Sequence, residues 1–180
     1  MPVPEAGLRE TRHGLVPDGD GWFVLNARET RWRDTGVLGR YCTFEGKRPF
    51  RALGLNVNVL RPGEPMTMYH REQRQEGFLV VAGECLLVVE GEERKLVAWD
   101  FFHCPPGTAH VIIGAGDGPA VVVASGARGG RRKGFEYLAD PAALAHDAGV
   151  DRTTTKPAEA YARFPSSSRT PYLDGLLPDL

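Results

Sequence analysis

Two short segments of the 180-residue sequence contain histidines and glutamates of the kinds that bind metal ions. The first, GEPMTMYHREQRQEGFLVVAG, carries His70, Glu72 and Glu76, and the second, WDFFHCPPGTAHVIIG, carries His110. Two imidazoles with one or two carboxylates suit borderline or hard divalent ions such as Fe(II), Mn, Ni or Zn. A metal centre is therefore the first chemistry that the residues indicate.

The first segment resembles the first motif of the cupin superfamily. That motif runs glycine, HxH, three or four residues, glutamate, six residues, glycine. Glu76 and Gly83 have the six-residue gap. With the shorter gap before the glutamate, His70 takes the first histidine position and Glu72 replaces the second. With the longer gap the two positions fall on Tyr69 and Arg71, and His70 then faces the shell of the barrel.

The second segment resembles the second cupin motif, which runs glycine, five residues, PxG, two residues, histidine, three residues, asparagine. Pro105, Gly107 and His110 match this spacing. Trp99 stands at the opening glycine position and Gly114 at the final asparagine position. In this order and separation, the two segments are similar to those of single-domain cupin 2 proteins.

The resemblance implies one divalent metal ion held by His70, Glu72, Glu76 and His110. The shorter gap is preferred because it retains more ligands. Residues two apart in a strand share a face, so His70 and Glu72 would then both face the barrel interior. Glu72 is either a fourth ligand, a general base in catalysis, or a solvated loop residue. For Glu76 the structural alternative is a salt bridge to Arg71 or Arg74, since an unpaired buried carboxylate is costly.

The rest of the chain predicts an all-β fold. Short apolar runs alternate with glycine and proline, which predicts strands at Trp22–Leu25, Leu38–Phe44 and through the middle of the chain. With the motifs, this pattern indicates a double-stranded β-helix, or jelly-roll, cupin barrel at residues 51–126. Residues 1–50 are expected to add N-terminal strands. Residues 127–180 are expected to add the basic loop GGRRKG, two short helices that begin with proline, and a tail, within one structural domain.

The numbers of charged residues and cysteines narrow the range of functions. Lys and Arg number 22 against 23 Asp and Glu, giving a net charge of -1, so no general hold on nucleic acid or a membrane is expected. The three cysteines form no CxxC pair, which argues against a zinc ribbon or a disulfide framework. No signal peptide or membrane span is apparent, and a cytoplasmic location is expected.

We therefore expect a metal-binding cupin that acts on a small molecule in the barrel pocket, with dioxygenase- or isomerase-type chemistry. The alternative is a non-catalytic cupin that binds a small metabolite and has a structural or degenerate metal site. The early strands exceed what one barrel needs and would leave an edge free to pair, so a homodimer is predicted.

Overall fold

The computed structural model describes residues 1–129 and 134–179, and the described chain is built mainly of short antiparallel strands. The basic loop predicted at GGRRKG lies largely outside these residues. In chain order the strands are β1 (Gly7–Thr11), β2 (Gly14–Asp18), β3 (Trp32–Asp34), β4 (Arg40–Thr43), β5 (Leu53–Leu60), β6 (His70–Arg71), β7 (Glu76–Ala82), β8 (Glu84–Val89), β9 (Glu92–Val97), β10 (Phe101–Cys104), β11 (His110–Ala115), β12 (Ala120–Ala127), β13 (Glu136–Tyr137) and β14 (Ser168–Thr170).

Three short helical segments accompany the strands. A 3₁₀ turn spans Gly36–Leu38, and the two α-helices are α1 (Pro141–Ala145) and α2 (Pro157–Ala160). Both α-helices begin with proline, as predicted, because the first helical turn needs no hydrogen bond from that nitrogen. Within the described residues, no helix has the length and apolar character needed to cross a bilayer.

The strands form two main sheets and a separate hairpin. The larger sheet has seven strands in the order β10-β7-β12-β5-β4-β3-β14, and the smaller has five in the order β13-β6-β11-β8-β9. The principal core lies between them, with Phe78, Val80 and Val122 from the larger sheet against Leu87 and Ile112 from the smaller. The fold is thus the all-β jelly-roll that the sequence predicts.

The outer faces of both sheets are covered by the ends of the chain. On the larger sheet, Trp32 and Val59 lie in one cluster with Tyr172 and Leu176 of the C-terminal tail. On the smaller sheet, Val111 belongs to a cluster that also contains residues of α1 and of the turn that follows it. Strands β3, β4 and β14 come from either side of residues 51–126 but continue the same sheet. The terminal regions therefore pack directly on the barrel.

The N-terminal region departs from the prediction in two ways. Trp22–Leu25 is not a strand, because only Trp22 makes a bridge, to Glu5. The pairable edge expected of the early strands is also absent, because β14 from the tail pairs with β3 and covers it. The edge strands of the larger sheet, as described, are β10 and β14. The homodimer stays a prediction, but its original structural reason is wrong.

Candidate metal centre

Strand pairing brings the two motif histidines together. His70 in β6 and His110 in β11 are direct cross-strand partners, and residues opposite each other in a sheet present their side chains on the same face. Their ring centroids are 4.8 Å apart, and both side chains are buried. The two histidines, forty residues apart in sequence, therefore project side by side into the interior of the barrel.

Glu76 completes the group from the larger sheet. It is the first residue of β7, and its Oε2 lies 3.5 Å from Nε2 of His110. One ligand atom from each of His70, Glu76 and His110 lies within 4.8 Å of the others. This spacing is compatible with three donors around one ion, since metal–donor distances for nitrogen and oxygen are about 2 Å.

The hydrogen bonds of the two imidazoles leave the same nitrogen free in each ring. Nδ1 of His70 donates to the carbonyl of Met68 at 2.8 Å, and Nδ1 of His110 donates to the carbonyl of Thr108 at 3.2 Å. Each Nε2 then carries a lone pair, which is the form that binds a metal. Backbone carbonyls thus set both the tautomer and the ring orientation.

Two atoms of the group are buried without hydrogen-bond partners among the described residues. They are Oε2 of Glu76 and Nε2 of His110, both aimed at the space that the three side chains share. Buried polar atoms normally have partners, and leaving one unsatisfied costs about 1–3 kcal/mol. A bound cation would satisfy both atoms at once. The donor set, its geometry and these two atoms all fit a divalent metal ion.

Burial shifts the pKa of every member of the group toward its neutral form. Burial, and then the neighbouring His110, lower the pKa of His70 to about 4. Burial also lowers the pKa of His110. Burial, and then the charge of Glu72, raise the pKa of Glu76 to about 8. The His110–Glu76 contact is therefore not an ion pair at neutral pH, because neither partner is charged without a cation between them.

Aromatic rings surround the histidines and keep the environment dry. Phe135 stacks on His70, with ring centroids 4.8 Å apart and planes at 19°. Phe78 and Phe102 lie 5.2 and 5.7 Å from the ring of His110. The two motifs contain Phe78 and Phe102, but Phe135 comes from the segment after the barrel. Sequence reasoning missed it, because no local pattern connects it to His70.

The structure corresponds to the shorter motif gap. His70 faces Glu76 and His110, whereas the Tyr69 side chain packs on the other side of the sheet, in the cluster that contains Val111. Arg71 is exposed and pairs with Glu136 at 2.7 Å, so it is not the partner proposed for Glu76.

Glu72 lies beside the group without belonging to it. Strand β6 ends at Arg71, so the rule that places residues two apart on one face does not extend to Glu72. Its side chain nevertheless lines the same cavity, and its charge contributes to the raised pKa of Glu76. Its backbone carbonyl accepts a hydrogen bond from the nitrogen of Gly107 at 2.7 Å. The role of Glu72 as ligand or base stays a prediction.

A cavity of about 680 Å³ opens beside the three residues. Its lining combines polar side chains of the larger sheet with residues of segments outside the barrel. The lining includes Tyr41, Asn56, Asn58, Arg74, Ser125, Arg128, Phe135, Tyr161, Phe164, Ser166 and Ser167. A volume of this size is ordinary for a small-molecule site.

Residues 56–126 match the family model described as a cupin domain. The match contains both motifs and all four candidate residues. This part of the chain is therefore a cupin domain. No curated protein matched the chain.

One solved cupin structure supports the fold, and two further solved structures are similar over part of the chain. An RmlC-like cupin from Shewanella frigidimarina NCIMB 400 is 19% identical, over 58% of this chain and 89% of its own, with a TM-score of 0.50. A cupin-superfamily sugar phosphate isomerase from Silicibacter pomeroyi DSS-3 is 26% identical, over 44% of this chain and 53% of its own, with a TM-score of 0.43. The match thus spans about half the length of that isomerase. KdgF from Halomonas sp. is 20% identical, over 54% of this chain and 88% of its own, with a TM-score of 0.46.

Proposed function

We propose that the protein binds one divalent metal ion through His70, Glu76 and His110 and acts on a small molecule held in the adjoining cavity. The observation that carries the proposal is the convergence of these three buried side chains, with ligand atoms within 4.8 Å of one another. Two of the converging atoms have no other partner among the described residues. Fe(II), Mn, Ni and Zn all suit two imidazoles and a carboxylate.

A bound metal of this kind supplies Lewis-acid chemistry toward a substrate oxygen. The protein contributes fixed imidazole orientations, through the carbonyls of Met68 and Thr108, and a dry aromatic surround. Glu72 stands on the cavity wall and is our candidate for the general base, with a fourth-ligand role as the alternative. Isomerase and dioxygenase chemistry both fit an arrangement of this kind.

The cavity wall indicates the class of small molecule. Arg74 lines the cavity, and no carboxylate lies within ion-pair distance of it in the part of the chain that the structure describes. Arg128, by contrast, forms an ion pair with Glu45, with Nη1 of Arg128 2.6 Å from Oε1 of Glu45. Asn56 and Ser125 add neutral hydrogen-bonding groups to the same wall. We propose a small acid that also carries hydroxyl or carbonyl oxygens, with its carboxylate on Arg74.

Metal content is the direct test. Protein purified without chelator should contain about one divalent ion per chain by elemental analysis. His70→Ala should lose the ion, and His103→Ala is the matched control, because His103 is an exposed residue of β10. Equal metal content in both variants, or none in the unaltered protein, contradicts the proposal.

The second candidate function is a metabolite-binding cupin without chemistry. The observation in its favour is that a glutamate, outside the three-residue group, takes the second histidine position of the motif. Protein reconstituted with Fe(II), Mn or Ni should be screened with hydroxy acids, diketones and sugars. Turnover of any of them supports the enzyme, and binding without turnover in the fully loaded protein supports the binder. The cytoplasmic location stays a prediction.

A further inference from the structure

A cluster of arginines lies outside the metal centre, around the turn between β1 and β2. The arginine cluster consists of Arg12, Arg31, Arg33 and Arg169. Burial, and then the charges of Arg12, Arg169 and Arg31, lower the pKa of the neighbouring His13. Arg33 and Arg169 are direct cross-strand partners in β3 and β14. Nε of Arg12 donates to Nε2 of His13 at 2.8 Å. Arginines from three separate stretches of the chain thus lie near one histidine, and Arg33 is the strand partner of one of them.

Backbone contacts hold the turn against the start of β3. Leu15 forms a bridge with Thr30, next to Arg31, and the Leu15 nitrogen donates to the carbonyl of Glu29 at 2.8 Å. Gly14 permits this approach, because a Cβ there would lie 2.6 Å from the same carbonyl, and its φ is +115°. His13 is therefore placed beside Arg31 by the fold rather than by flexible side chains.

The positive charge of the cluster is not compensated. Within the described ranges, no carboxylate lies within ion-pair distance of any of its four arginines. Like charges directly opposite each other in a sheet are destabilising, and Arg33 and Arg169 are such a pair. Burial, and then the charges of Arg169, Arg33 and Arg9, lower the pKa of Arg31. The whole chain has a net charge of -1, so the cluster is a local feature.

His13 supplies a second sign of a missing partner. An arginine only donates, so Nε2 of His13 must accept from Arg12, and Nδ1 therefore carries the proton. That Nδ1 is buried and has no hydrogen-bond partner among the described residues. The missing partner is thus an acceptor, in a place where the nearby charges are positive. An oxyanion meets both requirements.

We propose that the arginine cluster is a binding site for a phosphate-type oxyanion, either inorganic phosphate or the phosphate group of a small metabolite. Guanidinium groups recognise such anions through paired charge-assisted hydrogen bonds, and several of them around one point are typical of a phosphate site. The site goes beyond the metal centre and uses none of its residues.

The cluster also contacts the wall of the cavity. Nη1 of Arg33 donates to Oγ of Ser167 at 3.0 Å, and Ser167 lines the cavity immediately before β14. An anion between Arg33 and Arg169 would remove their mutual repulsion and stabilise the pairing of β3 with β14. Occupancy of the site is therefore expected to stabilise this edge of the sheet.

The test is calorimetric titration of the chelator-treated protein with inorganic phosphate, against chloride at matched ionic strength. Chelation prevents a metal in the cavity from binding the phosphate. Phosphate should bind and raise the melting temperature, while chloride does neither. A parallel titration with glycerol 3-phosphate distinguishes free phosphate from a metabolite, since the tighter ligand identifies the source. Equal effects of phosphate and chloride, or tighter binding of a DNA oligonucleotide than of either phosphate, overturn the proposal.

Arg169→Gln and Arg51→Gln form a matched pair, because Arg51 is exposed and lies outside the cluster. Arg169→Gln should weaken phosphate binding about tenfold or more, since hydrogen bonds to charged groups contribute at that level. Without phosphate it should be at least as stable as the unaltered protein, because the like-charge pair is gone. Arg51→Gln should leave phosphate binding unchanged. Loss of stability in Arg169→Gln without phosphate, or equal weakening in both variants, contradicts the proposal.

Discussion

Replacing Glu76 by glutamine distinguishes a metal ligand from an ion-pair partner, because the two roles predict opposite changes in the stability of the metal-free protein. An ion-pair partner stabilises the fold, so its neutral isostere should be less stable. A metal ligand without its metal is a buried carboxyl group whose ionisation destabilises the fold. The metal-free protein with the neutral isostere should therefore be more stable than the unaltered metal-free protein. The variant keeps the shape of the side chain, and any difference therefore reports its charge.

The size of the effect follows from the pKa of Glu76. That pKa is about 8 in the folded protein, against an ordinary value of 4.5. Because folding raises it, the folded state binds the extra proton, and the Glu76 contribution to stability falls as pH rises from about 4.5 to about 8 and is constant above. Each pH unit in this range is worth about 1.4 kcal/mol, so the Glu76 contribution to the stability of the metal-free protein falls by roughly 3 kcal/mol between pH 4.5 and pH 7. Glutamine does not titrate and loses none of it.

The assay is denaturant unfolding of chelator-treated protein at several pH values. The advantage of Glu76→Gln over the unaltered protein should grow by roughly 3 kcal/mol from pH 4.5 to pH 7. Metal affinity should fall at least about a hundredfold, because a charge within about 4 Å of a cation is worth several kcal/mol. Glu10→Gln, on the exposed strand β1, is the control for a general charge effect. Lower stability of Glu76→Gln at pH 7, with unchanged metal content, would refute the reasoning.

Three further predictions concern Glu72, Trp99 and assembly. Glu72→Gln should retain the metal and lose turnover if Glu72 is a base, and should weaken metal loading if it is a ligand; elemental analysis beside an activity assay separates the two. Trp99 takes the motif glycine position, is 72% exposed and has a φ of 78°, which is strained for any residue but glycine. Trp99→Gly should therefore raise the free energy of unfolding by up to about 1 kcal/mol, and a less stable variant would show that the backbone is not strained there. If the protein is a homodimer, light scattering at micromolar concentration should give twice the chain mass. If the dimer forms through the edge strand β10, Phe101→Lys should give monomers, because Phe101 is 64% exposed on that strand.

Local pattern predicted the strands whose side chains alternate between a buried core and a second packed face. Val111 and Ile113 face the outer cluster while Ile112 faces the core, so this strand shows in the sequence as a continuous apolar run and not as the period of two of a half-buried strand. The hairpin at Glu90–Gly91 was also predictable, and both residues have positive φ, as a two-residue turn requires. The hairpin of β1 and β2 was not, because its strands contain too few apolar residues to show that period.

Trp22–Leu25 shows the opposite error. Its four apolar residues satisfy the composition of a strand, but composition does not supply a neighbouring backbone to pair with. The strand that pairs with β3 at that side of the larger sheet is β14, whose sequence, SRT, has no apolar residue. Pairing over more than a hundred residues is decided by the packing of the tail around Trp32, in the cluster that includes Tyr172. No local pattern in either segment carries that information.

The candidate metal centre was predictable where motif spacing coincides with strand geometry and not beyond it. His70 and His110 are cross-strand partners, so the backbone itself aligns them. Glu72 is different, because β6 ends one residue before it and the alternation no longer holds. Its backbone is tied to Gly107 of the second motif, while its side chain remains on the cavity wall. This position, on the cavity wall and outside the three-residue group, supports the proposed role of Glu72 as a general base more than a role as fourth ligand.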